Sequence, residues 1–469
     1  MKKSLLLASM ALAVSSAFAA TDGSTYETIN GFTCTNKWIN SQFHNPEGWN
    51  QYPFIEEMMP AKARTACLAT VDGKDVVIVG FSHTVDGSDL ASLVLIDFAT
   101  GNLIKTVQMT CDGEPVAGLL TANQVGCDQF GHVWFAGYVG TVYNAEADTY
   151  GALKIYKVDD METGACSVAA ALTVVEDEAS DAAGARIDYC DLVGDLTLEN
   201  AGCVVMCALA SNNGAYSYTG VLGWAADQGA DKWEPAMDGY NVAFISDTYP
   251  DGQTDWGTGP MVRIVLNDDF TNDLFYVDGF TTCPSLYTPD GTIIDSFASA
   301  VDLAPITGTN GVGEFALGGK NFIAYSLQDY ANGGTCKVNV CELGADQAFE
   351  GMEHYWTVPG NEDGEGLGNT SDGGTRIHAV ETKVYTDANG KQGAYLLSYK
   401  CQNGIAVYAI CEEGWEDPNA GDDAVNDIVV DTNAPVQYFN LNGVEMNGNL
   451  TPGMYITRQG NIVNKVVVK

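Results

Sequence analysis

A structural unit of roughly sixty residues recurs six times along the chain, and this period constrains the fold more than any other feature. Each unit holds an inner run, a second apolar strand, a third, and usually a fourth. The first unit reads Ala63–Ala69, Asp75–Gly80, Ser92–Asp97 and Leu103–Val107. Third strands then begin near Ser92, Ala152, Gly220, Ser285, Cys336 and Gly404. Runs of five or six residues, rich in β-branched and aromatic side chains and separated by Gly, Asn and Asp, predict short strands joined by tight turns. Asn403-Gly404 is the strongest of these hairpin steps. Four-stranded units repeated in this way predict an all-β chain folded as a β-propeller, whose closed ring hides the sheet edges. Six blades account for the repeats, and residues 25–60 leave room for strands of a seventh. An array of β-sandwiches is the structural alternative, but it needs no shared inner strand. No 3.6-residue period persists beyond the first twenty residues.

The organisation read from the sequence is a signal peptide (1–20), an N-terminal segment (21–60), the propeller (61–411), an acidic linker (412–432) and a C-terminal module (433–469). Lys2 and Lys3, the apolar stretch Leu5–Val14 and the small-residue step Ala17-Phe18-Ala19 make the signal peptide. Its apolar run is too short for a membrane span, and no later stretch is long enough. The expected protein is therefore exported and has no integral membrane segment. The linker carries eight acidic side chains and no basic one. Cys34, the first of thirteen cysteines, lies well past the cleavage step, which argues against a lipid anchor. The odd count leaves at least one thiol unpaired in any scheme. Most cysteines sit inside apolar runs, as Cys203 and Cys207 do, and are expected to be small buried hydrophobes, with room for one or two long-range disulfides. The five histidines are scattered and no Cys/His spacing suggests zinc, so no metal site is assigned.

Charge bounds the partners. Sixty-one acidic residues against twenty-one basic give a net charge of −40, or −42 once Lys2 and Lys3 are removed. That balance excludes a general nucleic-acid binder and adhesion to an anionic lipid surface.

The C-terminal module reads as short strands with Asn-Gly and Pro-Gly turns, a small β-sandwich-like unit. Its runs Tyr438–Gly443, Pro452–Ile456 and Lys465–Lys469 resemble the C-terminal sorting domain of type IX secretion cargo in Bacteroidota. The resemblance covers about 35 residues and is carried by Tyr438, Gly443, Pro452, Gly453, Tyr455, Lys465 and Lys469. It implies the type IX secretion machinery as a partner, and a cell-surface or extracellular location. The propeller portion loosely resembles uncharacterised secreted propellers of the same bacteria, a likeness that implies no activity.

Motif chemistry is sparse. No GxSxG elbow, HExxH helix, phosphate loop or dinucleotide fingerprint occurs. Thr370–Arg376 resembles the Asp-box turn of sialidase-type propellers, but Arg376 replaces the expected aromatic and the motif does not recur. Two polar loops, 247–257 with Tyr249 and Trp256, and 361–372, are candidates for stacking on sugars, and their hard oxygens suit Ca²⁺ as a possible ligand. The sharper regularity is in the arginines. Of only five, Arg64, Arg186, Arg263 and Arg376 each open an inner strand, so a propeller should gather them near one mouth of its channel. Either each guanidinium forks to a carboxylate of another blade and locks the ring, or the group holds an anionic ligand. The expected function is thus a non-enzymatic binding protein for a glycan, peptide or anionic small molecule. A polysaccharide- or peptide-acting hydrolase at the channel is one alternative, and a structural surface component is another.

Overall fold

A computed structural model describes residues 26–55, 62–118, 122–140, 143–144, 149–173, 185–211, 219–236, 243–244, 263–266, 274–279, 282–288, 292–297, 300, 303, 311–327, 336–359, 366–368, 378–401, 403–419, 437–439, 446, 453–459 and 462–468. The chain divides into two compact units, one ending at Pro418 and the other beginning at Asn419.

The first unit is a six-bladed β-propeller. The inner strands of blades one to six are Thr65–Val71, Gln124–Cys127, Ala185–Gly194, Arg263–Leu266, Val312–Leu317 and His378–Thr386. Each pairs antiparallel with the next strand of its own blade, and blades one, four and five are plain four-stranded meanders. Blade two adds Thr110–Cys111, parallel to its outer strand Ala165–Thr173 and followed by Glu114–Pro115. Blade three carries two short strands, Glu234–Pro235 and Ala243–Phe244, on one outer edge.

Side chains alternate faces along a strand, so each blade contributes to two cores. In blade one Val77 and Val79 pack toward blade six, while Val76 and Ile78 pack toward blade two. The same division repeats around the ring. Six apolar clusters fill the six gaps between neighbouring blades, and the last joins blade six to blade one. Sheets buried on both faces explain why these strands read as nearly continuous apolar runs.

The ring is closed by a strand from the N-terminal segment. Phe32–Ser41 pairs antiparallel with Gly404–Glu412, from Phe32 opposite Glu412 to Ser41 opposite Gly404, and becomes the outermost strand of blade six. No seventh blade forms among the described residues; the extra strand completes a blade that has only three strands of its own. Its side chains also reach blade one. Trp38 Nε1 donates to the Phe98 carbonyl (2.7 Å), and Asn40 Nδ2 and the Tyr52 hydroxyl donate to the Gly101 carbonyl (2.9 and 2.6 Å). Gly101 adopts φ +70°, and a Cβ there would lie 2.6 Å from the Trp38 ring, so glycine is required on both counts.

Residues 412–417, read from sequence as linker, pack on blade six. Glu412 ends a blade strand, Lys37 pairs with Asp417 at 2.6 Å, and Trp415 stacks edge-on against Tyr395. The described part of the second unit is one antiparallel sheet of three strands, Gln437–Phe439, Gly453–Gln459 and Ile462–Val468. Tyr438 pairs with Thr457, and Lys465 with Ile456; Gly453 and Tyr455 lie on the middle strand. Gly443, Pro452 and Lys469 fall outside the described residues. Among the described residues, no helix is long and apolar enough to cross a membrane.

The twelve cysteines with described side chains are all free thiols, nine of them buried. Burial pushes the thiol pKa up, to about 12 at Cys166 and Cys341, which makes these groups packing elements rather than nucleophiles.

Candidate functional site at the channel mouth

The inner strands enclose a central channel of about 910 Å³. At the end where they begin, the structure assembles a buried polar cluster. Two of the four arginines named from sequence are fully described there. Arg64 precedes the inner strand of blade one, and Arg263 opens that of blade four, on the opposite side of a six-membered ring. The two guanidinium groups meet adjacent residues on one strand of blade three. Arg64 Nη1 donates to Asp188 Oδ1 at 2.8 Å, and Arg263 lies 4.7 Å from the Tyr189 ring centroid. Arg186 lies on the same strand as Asp188 and Tyr189, with its backbone paired to Ala210. Its side chain, like Arg376, Tyr249, Trp256 and the Asp-box-like turn, lies outside the described residues. So does the loop 361–372 apart from 366–368.

The two described arginines play different parts. Arg64 is a lock. Its side chain is 7% exposed and its partner Asp188 1%. Arg64 reaches past blade two to blade three, while Gln124 Nε2 of blade two donates to the Asp188 carbonyl (2.8 Å) and Gln124 Oε1 accepts from the Cys190 amide (2.5 Å). Thr65 accepts the Val125 amide at 2.7 Å, so blades one, two and three are laced together at this mouth. Arg263 is not a lock. It is 7% exposed and lines the channel, and its guanidinium has no hydrogen bond or ion pair with any described residue.

Orphaned polar atoms surround Arg263. Asp278 stands directly opposite it on the neighbouring strand of blade four and is wholly buried; neither carboxylate oxygen has a hydrogen-bond partner among the described residues. Burial lifts its pKa to about 7, against the opposing pulls of the Arg263 charge and of the Gly311 amide, which approaches the carboxyl group without meeting hydrogen-bond geometry. The Tyr189 hydroxyl and His378 Nδ1 are likewise buried and unpartnered. His378 Nε2 meets the Ser398 hydroxyl at 2.7 Å. Burial, with Lys400 and Arg263 close by, holds this imidazole well below its usual pKa, so it is neutral. Lys400, its register partner, is 1% exposed.

None of Asp188, Tyr189, Asp278, His378 or Lys400 was singled out by sequence. Asp188 and Tyr189 had a signal, since they follow Arg186 on an inner strand. Asp278 and Lys400 end apolar runs, where a charge ordinarily reads as the solvated tip of a strand.

A second cluster joins blades two and three. Asp128, His132 and Asp195 bring three potential metal ligands together. Their oxygens are already engaged. Asp128 accepts the Phe130, His132 and Leu196 amides and meets His132 Nδ1 at 2.9 Å. Asp195 accepts from the backbone and side chains of Thr197 and Asn200, and although burial pulls its pKa upward, these bonds hold it well below the usual carboxylate range. This cluster is a clamp between two blades.

No protein-family model matches the chain, and no curated protein matches it. Solved structures with a similar course of the chain include AofleA of Arthrobotrys oligospora, with 10% identity, 87% of each chain covered and a TM-score of 0.39. A subtype N11 neuraminidase-like protein of A/flat-faced bat/Peru shares 11% identity over 84% of this chain and 97% of its own, with a TM-score of 0.41. An α-L-arabinofuranosidase of Fusarium graminearum shares 10% identity over 74% of this chain and 92% of its own, with a TM-score of 0.38. Likeness at this level carries no argument about ligand or reaction; the propeller stands on its sheets and on the six cores between its blades.

Proposed function

We propose that the chain is an exported binding protein that holds a carboxylate- or sulfate-bearing ligand, such as an acidic glycan or a peptide carboxylate, at the arginine mouth of its propeller. One observation supports this above the others: Arg263 is buried, faces the channel, and has no anionic partner bonded to it among the described residues. An unpaired charge removed from water is costly, and a bidentate anion would offset that cost. In a chain of net charge −40, this mouth is a positive focus within a negative field. The Tyr189 ring lies 4.7 Å beneath the guanidinium, and its buried hydroxyl has no hydrogen-bond partner among the described residues.

The expected result is a melting-temperature rise on adding sulfate, glucuronate or acidic peptides to the purified propeller, and no such rise in Arg263→Gln. Equal rises in both proteins would place the anions elsewhere. The hydrolase alternative draws on Asp278, whose pKa near neutrality suits a general acid. Release of a product from the same panel would favour it over simple binding.

The second unit is proposed to be a sorting signal, on the sequence resemblance alone. Deleting residues 433–469 should leave a folded propeller retained in the periplasm. Cell fractionation reads this directly, and normal surface or medium levels of the truncated chain would sink the assignment.

A further inference from the structure

We propose that the mouth takes up a proton together with its anion, and that Asp278 is the group that receives it. This rests on the anion-site reading above and adds its regulation. Asp278 and Arg263 are direct cross-strand partners in blade four, yet no hydrogen bond joins their side chains. The guanidinium is therefore offered to the channel, with a buried carboxyl group behind it.

The groups around Arg263 and Asp278 come from four blades. Blade four supplies Arg263 and, on the same strand as Asp278, Tyr276, whose hydroxyl donates to Glu314 of blade five at 3.0 Å. Blade five also brings the Gly311 amide close to the carboxyl group. Blade three supplies Asp188 and Tyr189, and blade six His378 and Lys400. Asp188 is committed to Arg64, and His378 is held neutral. Burial raises the hydroxyl pKa of Tyr189 and of Tyr276, so neither ionises near neutrality. Asp278 is left poised at about 7, with burial raising its pKa and Arg263, then the Gly311 amide, lowering it.

An anion arriving at Arg263 removes that lowering pull. Two negative charges would then share one guanidinium where water is excluded, and the less costly state has Asp278 protonated. Free protein below about pH 7 already holds the proton, so binding there is pH-independent. Above that pH the proton must be taken from solvent, and affinity should fall about tenfold per pH unit. The sign for stability is the same. A carboxyl pKa raised by folding means that stability declines as pH rises from the unfolded value of 3.8 to about 7, and then levels off. Asp278→Asn should remove that decline.

Calorimetric titration of the full chain with glucuronate and with sulfate tests the coupling, in buffers of different ionisation heat at about pH 6, 7 and 8. Neither probe titrates in that range. The expected result is near-zero proton uptake at the lowest pH, approaching one proton per anion at the highest, with weakening affinity. Asp278→Asn should bind with one affinity throughout and take up no proton. Saturable binding with flat affinity in the wild type, or an unchanged pH profile in Asp278→Asn, would overturn the coupling and leave the anion site standing. No saturable binding at any pH would instead overturn the anion-site reading, and the coupling with it.

Discussion

Deleting residues 26–41 is expected to abolish cooperative folding of the propeller, although those residues lie outside every repeat. The deletion removes the ten-residue outer strand of blade six and bares the backbone edge of Gly404–Glu412. It also removes Phe32, Cys34, Trp38 and Ile39, all nearly inaccessible to solvent, from the two cores that flank blade six. Each such side chain contributes about 1.5–3 kcal/mol by burial, and the whole chain has only on the order of 5–15 kcal/mol of net stability to lose. Strand deletion also cuts the Trp38 and Asn40 hydrogen bonds to the Phe98–Gly101 turn of blade one. A milder probe is Trp38→Ala, which removes a buried indole and its 2.7 Å hydrogen bond and should cost about 3–5 kcal/mol. Thermal melts followed by circular dichroism, with limited proteolysis alongside, measure both. A truncated chain that melts cooperatively within a few degrees of the parent would show that the ring closes without its N-terminal strand.

The second large effect is expected at Arg64 and Asp188. Replacing either partner alone leaves the other charge buried, a loss of about 3–5 kcal/mol. Arg64→Leu and Asp188→Leu should each lower the denaturant midpoint strongly, while the double variant should recover part of the loss because no orphaned charge remains. Arg263→Gln should behave differently. Its guanidinium has no ion-pair partner among the described residues, so removing the charge should cost little stability and should chiefly abolish anion binding. Purely additive losses at Arg64 and Asp188 would mean that the two side chains do not act as a pair. A loss at Arg263 as large as at Arg64 would mean that both arginines only hold the blades together.

The ring was legible in the sequence because each blade repeats the same physical problem. A strand buried on both faces must be apolar at nearly every position, and Asp75–Gly80 or Gly404–Cys411 announce this plainly. The inner strand of blade six was less visible. It runs to Thr386 through Glu381, Thr382 and Lys383, polar side chains that line the channel but that read as loop. The closing strand was hidden for another reason. Phe32–Ser41 looks like an isolated segment until Gly404–Glu412 is seen to lack an outer neighbour. At the site, Arg64 and Arg263, which share a position on inner strands, contact adjacent residues of blade three. Their unlike roles were not legible, because they depend on which blade supplies a carboxylate within reach: Asp188 bonds Arg64, whereas Asp278 is opposite Arg263 without bonding it.

The account turns on Arg263 holding an anion that the chain itself does not provide. Anomalous diffraction from crystals grown with selenate in place of sulfate tests this most directly, since selenium reports its own position. The account predicts a selenium peak within hydrogen-bond reach of the Arg263 guanidinium, over the face of Tyr189, and no such peak in Arg263→Gln. Selenate found only on surface lysines, with Arg263 bonded instead to a carboxylate of the chain, would contradict it.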